Sequence, residues 1–425
     1  MTRRTNLDKP TRMKSGFGVI RLIVSLLWIS PLGWIPAKGG TLDGSVETQL
    51  FQYASEDAPT FYLSNKTNYE TPEFESSIEL YYESGPRGAW SFDPDPIRYH
   101  AALDDPKKTE IWLGRGHPLD LIRKSRVEPT SALGTVWTQD QLNALAPKVS
   151  GWLGGGVIHE WAPGWKSTFA YSPIFLPTFS PSLGFTQRGD LNPARFARLP
   201  PSGVNTGGVT LPIRYQLRVD QLSELLFRHQ AFLGIAKTGE SADFELYAYT
   251  APKPDPVPIT DATLAVSQNE VNAHVSINPQ FPREYWAGTR VQSKETLFKP
   301  ALEFIQNLED FSNHLVSLTG YYGTQANFGL LTHLKKNTDS ARFSDFLVFL
   351  KIPTPLTNRI TLQSLIESTL LSTRKSLYCM EELQYWITKT FSVLIGLRVL
   401  AGEDDSFFGA WRNQSSLSIG VLQKW

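Results

Sequence analysis

The chain is 425 residues long and carries 41 basic and 41 acidic side chains, seven histidines and one cysteine, Cys379. A single cysteine excludes an internal disulfide framework, and balanced charge excludes the basic surface a nucleic-acid partner requires. The length suits two ordinary domains or one large unit.

The first segment reads as a leader. Arg3, Arg4, Lys9, Arg12 and Lys14 form a basic stretch, followed by an apolar run from Phe17 to Pro36 that Arg21 interrupts. Its core, Leu22 to Ile29, is short for a span of roughly 20 apolar residues but suits a signal peptide's hydrophobic region. Ile35-Pro36-Ala37 places a small residue at a cleavage point before Lys38, with Met13-Lys14 as an alternative start and an uncleaved anchor as the alternative outcome. Without residues 1–37 the chain keeps 35 basic and 40 acidic residues, a net charge of −5.

From residue 38 onward the clearest segments alternate with period two. Glu73, Glu75, Ser77, Glu79, Tyr81 and Glu83 oppose Phe74, Ser76, Ile78, Leu80 and Tyr82, an acidic face against an apolar one. Residues 114–210 are less regular. Gly114-Arg115-Gly116-His117, with Arg123, Lys124 and Arg126, reads as a solvated loop or an anion-attracting constriction, and Gln139 to Leu145 as a short helix. Long loops are expected around 115–150 and 173–210. The turn Lys237-Thr238-Gly239-Glu240 precedes Asp243, Glu245 and Tyr247, which alternate with Phe244, Leu246 and Ala248. Val271, Ala273, Val275 and Ile277, the turn Pro279 to Pro282, and Tyr285, Ala287, Thr289 and Val291 read as a hairpin with one polar face, which includes His274. Further segments run from Phe328 to Leu334, Phe346 to Ile352, Ile360 to Ile366 and Phe391 to Val399.

Each is about ten residues, enough to cross a bilayer as a tilted strand, whereas sandwich strands are typically five or six. Aromatics gather near segment ends (Tyr81-Tyr82, Tyr321-Tyr322, Tyr385-Trp386, Trp161, Trp165), and no run suits a membrane helix, since Phe391 to Leu400 is short and holds Arg398. The expected fold is all-β: a transmembrane antiparallel barrel of about 16 strands (range 14–18) over residues 38–425. One conflict stays open. Counting strands back from the end puts the Pro-rich stretch Ala251 to Gln268 on the side where turns should be short.

The last ten residues run Ser416-Leu417-Ser418-Ile419-Gly420-Val421-Leu422-Gln423-Lys424-Trp425. Leu417, Ile419, Val421 and Trp425 share one face, and Ser416, Ser418 and Gly420 the other. This resembles the terminal strand of Gram-negative outer-membrane barrels, porin-like channels among them; Gln423 departs from the pattern. The resemblance implies Gly420 and Trp425 as part of a signal read by the barrel-assembly machinery, with the bilayer and lipopolysaccharide as surroundings.

Chemistry-bearing motifs are few. There is no G-x-S-x-G, His159-Glu160 lacks a second histidine at zincin spacing, and Glu403-Asp404-Asp405 lacks calcium-loop spacing. No enzyme activity, cofactor or metal is expected. The candidate pore-lining residues are Glu73, Glu75, Glu79, Glu83, Asp243, Glu245, Arg290, Lys351 and Arg398, because charge on a strand belongs in a lumen and not in lipid. The expected function is passive diffusion of small solutes through the outer membrane. The alternative is a closed surface or adhesion barrel acting through loops such as Pro173 to Gly208, and a soluble periplasmic β-protein is a third reading. Oligomeric state is not legible.

Overall fold

The computed structural model describes residues 40–425 except 56–57, 85–88, 104–107, 117–151, 176–182, 186–190, 194–202, 207–208, 218–225, 253–256, 267–270, 295–297, 310–313, 323–325, 335–345, 371–374, 404–405 and 407. The leader, residues 123–126, the expected helix Gln139 to Leu145 and much of both expected long loops lie outside the described residues.

Eighteen strands make up the main sheet. The first half comprises β1 (Thr41–Tyr53), β2 (Thr60–Glu70), β3 (Phe74–Glu83), β4 (Ala89–Ala102), β5 (Thr109–Gly116), β6 (Trp152–Ala162), β7 (Trp165–Ile174), β8 (Gln230–Thr238) and β9 (Ala242–Pro252). The second comprises β10 (Arg283–Ser293), β11 (Phe298–Asn307), β12 (His314–Tyr322), β13 (Ala326–Leu334), β14 (Phe346–Pro355), β15 (Ile360–Leu370), β16 (Ser376–Trp386), β17 (Phe391–Gly402) and β18 (Ser416–Lys424). Each pairs antiparallel with the next. β18 returns to pair with β1 from Ser45↔Lys424 to Tyr53↔Ser416, so the sheet is a closed meander without an edge. The fold is the expected all-β antiparallel barrel, with eighteen strands, at the upper end of the expected range of 14–18.

The even strand number brings the first and last strands' outer ends to one rim, and the connections differ sharply between rims. Turns at the terminal rim, such as 71–73, 163–164, 239–241 and 387–390, are two to six residues long. Gly164, at φ +75° in the tightest of them, meets Thr238 O so closely that a Cβ would lie 2.7 Å from it. The opposite rim carries 117–151, 175–229 and 253–282 between strands.

That asymmetry resolves the conflict over Ala251 to Gln268 and corrects the expected hairpin. Val271–Gln280 is not in the barrel wall, and β10 pairs instead with β9, from Ala242↔Ser293 to Pro252↔Arg283. Val271–Gln280 pairs antiparallel with Val257–Val266 and parallel with Val209–Leu217, which in turn pairs with Gly203–Thr206. The long loops that follow β7 and β9 thus build a separate four-stranded sheet. His274 belongs to it, 3.2 Å from Gln216, and is not on the barrel wall.

The pairing register carries one inward/outward parity round the whole circuit. Gln49, Tyr62, Thr168, Phe232, Glu245 and Arg290 face in and are buried, while Leu50, Leu113, Phe169, Leu233, Leu246, Leu302, Ile366 and Ile395 face out and are exposed. So large an exposed apolar surface requires lipid over it. Aromatics flank that belt: Phe61, Tyr82 and Tyr171 near the long-loop rim, Tyr69, Phe74, Trp161 and Trp165 near the terminal rim. Phe61 to Tyr69 is eight residues, about 20 Å of height at ~3.3 Å rise and ~40° tilt, close to the ~25 Å band of such barrels.

Candidate functional site: the inner wall

Eighteen strands about 4.8 Å apart and tilted about 40° give a backbone diameter of roughly 35 Å. Wall side chains alone do not fill an interior of that width. The inner wall is therefore where solute chemistry can occur.

Its first sector is aromatic. Trp112, Ala170, Phe232 and Tyr247, on β5, β7, β8 and β9, form a buried cluster. It is possible because the facing positions are glycines. A Cβ on Gly156 would come within 2.5 Å of Trp112 Nε1, and one on Gly288 within 2.3 Å of the Tyr247 ring. Gly156, the last of the triple glycine from Gly154 to Gly156, makes room for that indole.

Below this cluster lies a charged row across three strands. Arg290 stands opposite Glu245 on one side and Glu303 on the other. Its Nη1 is 3.0 Å from Glu245 Oε1, with both side chains 6% exposed, and Tyr247 Oη donates to Glu303 Oε1 at 2.5 Å. Asp243 continues the row towards the terminal rim, where Lys294 Nζ pairs with it at 2.9 Å. A second network lies on β3–β5. Arg98 pairs with Glu75 at 3.2 Å, and His100 stands between Glu75 (3.6 Å) and Glu110 (2.6 Å).

Of the expected pore-lining residues, Glu75, Glu79, Asp243, Glu245, Arg290, Lys351 and Arg398 are all on the inner parity. Glu83 pairs with Tyr62 through its backbone, and its side chain lies outside the described residues. Glu73 is a correction. It sits exposed in the 71–73 turn, because Thr71 Oγ1 accepts from the Glu73 and Phe74 amides (3.2 and 2.9 Å) and starts the strand one residue late. Arg115, on the strand and not in a turn, falls on the outward parity.

Sequence reasoning missed Glu303, Tyr247, Arg98, His100, Glu47 and Glu382. Only Tyr247 had a signal, lying on the same alternating segment as Glu245; the others sit in strands whose apolar partners are irregular.

A third sector, on β16, β17, β18, β1, β2 and β3, forms a recess of about 330 Å³. Glu47, Glu79, Glu382 and Arg398 face into it beside Phe51, Tyr62 and Met380. It lies across the barrel from the aromatic sector.

The outer face also carries a carboxylate at membrane depth. Among the described outward positions of the barrel strands, Glu381 is the one carboxylate, at the middle of β16, accepting from Ser364 Oγ at 2.6 Å. A carboxylate at that depth costs the barrel stability. Glu381→Leu is expected to raise unfolding stability in lipid by about 1–2 kcal/mol, read by urea titration. A decrease would show that lipid does not cover this position.

No protein-family model and no curated protein matches the chain. Among solved structures, a BenF-like porin from Pseudomonas fluorescens Pf-5 is 9% identical with a TM-score of 0.47, covering 91% of this chain and 98% of that one. A mutant of Rh. blastica porin is 8% identical with a TM-score of 0.39, covering 91% of this chain and 100% of that one. These are distant likenesses of architecture, and the fold rests on the pairing described above.

Proposed function

We propose that the chain is a porin-like channel of a Gram-negative outer membrane, through which small hydrophilic solutes diffuse passively. The observation that carries it is the closed eighteen-strand circuit with ionised groups inside and an apolar belt outside, an arrangement that encloses a wide polar lumen within lipid. The terminal strand supports it, since Gly420 stands in the closing strand that the assembly machinery would read and Trp425 directly follows it. The mechanism is sieving by width and by wall charge, without energy coupling.

Carboxylates outnumber cations on the described inner wall, and several basic groups are committed to pairs, as Arg98 and Arg290 are. A wall of that sign concentrates cations. Purified protein in a planar bilayer is expected to give discrete conductance steps, lost on heat denaturation, with a reversal potential across a salt gradient that favours cations. A barrel that inserts and stays silent would refute the channel, and would turn attention to its long-loop rim as a surface for binding.

A further inference from the structure

The recess on the third sector is lined by charges of both signs, Arg398 and Lys424 beside Glu47, Glu79 and Glu382. Arg398 is 6% exposed, yet its Nε and Nη1 have no hydrogen-bond partner, and its guanidinium lies 5.5 Å from the centre of the Phe51 ring. Ser416 Oγ, from the residue paired with Arg398 across the strands, is likewise buried without a partner. Glu382 is 9% exposed and faces the same recess, with no ion pair to Arg398. Glu47 lines it too, accepting only from the neighbouring Gln49 amide. No group of three ligating side chains close enough to hold a metal ion occurs among the described residues, so these carboxylates do not converge on one point.

Buried donors left unmatched in a recess that carboxylates also line call for a ligand carrying the complementary groups. An anionic end would satisfy Arg398 and Ser416, and a cationic end Glu382. Register fixes the direction. Arg398 and Ser416 stand level with Tyr53 at the long-loop end of β1, whereas Glu382, level with Phe51 through Gly396 and Ser418, lies two residues nearer the terminal rim. A volume of about 330 Å³ is at the small end of ligand pockets, roughly 300–1,000 Å³. Phe51, Tyr62 and Met380 offer apolar surface for a side chain between the poles.

We infer that this recess is a binding subsite for a small zwitterion, an α-amino acid or dipeptide, held with its carboxylate towards the long-loop rim and its ammonium towards the terminal rim. The inference deepens the channel reading and rests on it for the ligand's route to the site.

The test uses the full chain in detergent and in bilayers, with alanyl-alanine as probe. Its N-acetylated form keeps only the anion, and its C-terminal amide keeps only the cation. Calorimetry is expected to show the dipeptide binding about tenfold or more tightly than either analogue. Arg398→Gln should erase the preference over the amide, and Glu382→Gln should weaken the preference over the acetylated form. In bilayers the dipeptide should add blockade noise that the analogues do not. Equal binding of all three probes, or none by any, would overturn the inference even in a conducting barrel. A silent barrel that still discriminates the probes would sustain the subsite and refute the channel.

Discussion

A chain lacking residues 416–425 is expected never to reach a closed, inserted state. β18 is paired on both sides, with β17 from Phe391↔Gln423 to Arg398↔Ser416 and with β1 from Ser45↔Lys424 to Tyr53↔Ser416. Its removal leaves two rows of backbone donors and acceptors open at membrane depth, each unsatisfied group costing several kcal/mol in hydrocarbon. Reclosure by β17 onto β1 does not repair this. The two run in the same direction, so they would have to pair parallel, in a register the barrel's tilt does not supply. Protease resistance in liposomes and heat-modifiable migration on a gel measure the outcome; both should be absent. Trp425→Ala is the milder comparison. Its backbone bonds to Gly44 (3.1 and 3.4 Å) remain and only the indole packed on Gly44 is lost, so it should still close. A truncated chain that inserts and resists protease would show that closure does not depend on β18.

Arg290→Met is expected to destabilise the barrel by about 3–5 kcal/mol, the cost of breaking a buried ion pair from one side. Glu245 would remain 4% exposed with its 3.0 Å partner gone, and Glu303 would lose the cation opposite it. Urea unfolding in liposomes measures the change. Pairing Arg290→Met with Glu245→Gln should recover much of the loss, because the stranded charge is removed with its partner. If Arg290→Met costs less than about 1 kcal/mol, water in the lumen screens the row and the pair behaves as a surface salt bridge.

The two halves of this architecture differed in legibility. Period-two alternation at Phe74 to Tyr82 and Phe244 to Ala248 showed which face of each strand is apolar, because inward and outward positions meet opposite environments along every strand. The same alternation misled at Val271 to Ile277. A hairpin standing in a loop sheet alternates as well as one in the wall, and nothing local says that β10 seeks β9 across residues 253–282. Glu73 was misplaced for a smaller reason: a side-chain turn at Thr71 overrides the pattern at its first residue.

What the sequence determined by itself is the class: strands of bilayer length, one apolar face on each, and a terminal strand ending in Trp425. These are properties of single segments, set by the solvent each face meets. Only the tertiary structure decided the rest. It assigned eighteen strands to the wall and four to the loop sheet, joined Glu245 to Arg290 from strands 45 positions apart, and brought Glu47, Glu382 and Arg398 round one recess across the β18–β1 closure. Pairing partners and ring closure are relations between distant segments. Backbone hydrogen bonds are alike for every residue, so they join strands without leaving a mark in the sequence of either one.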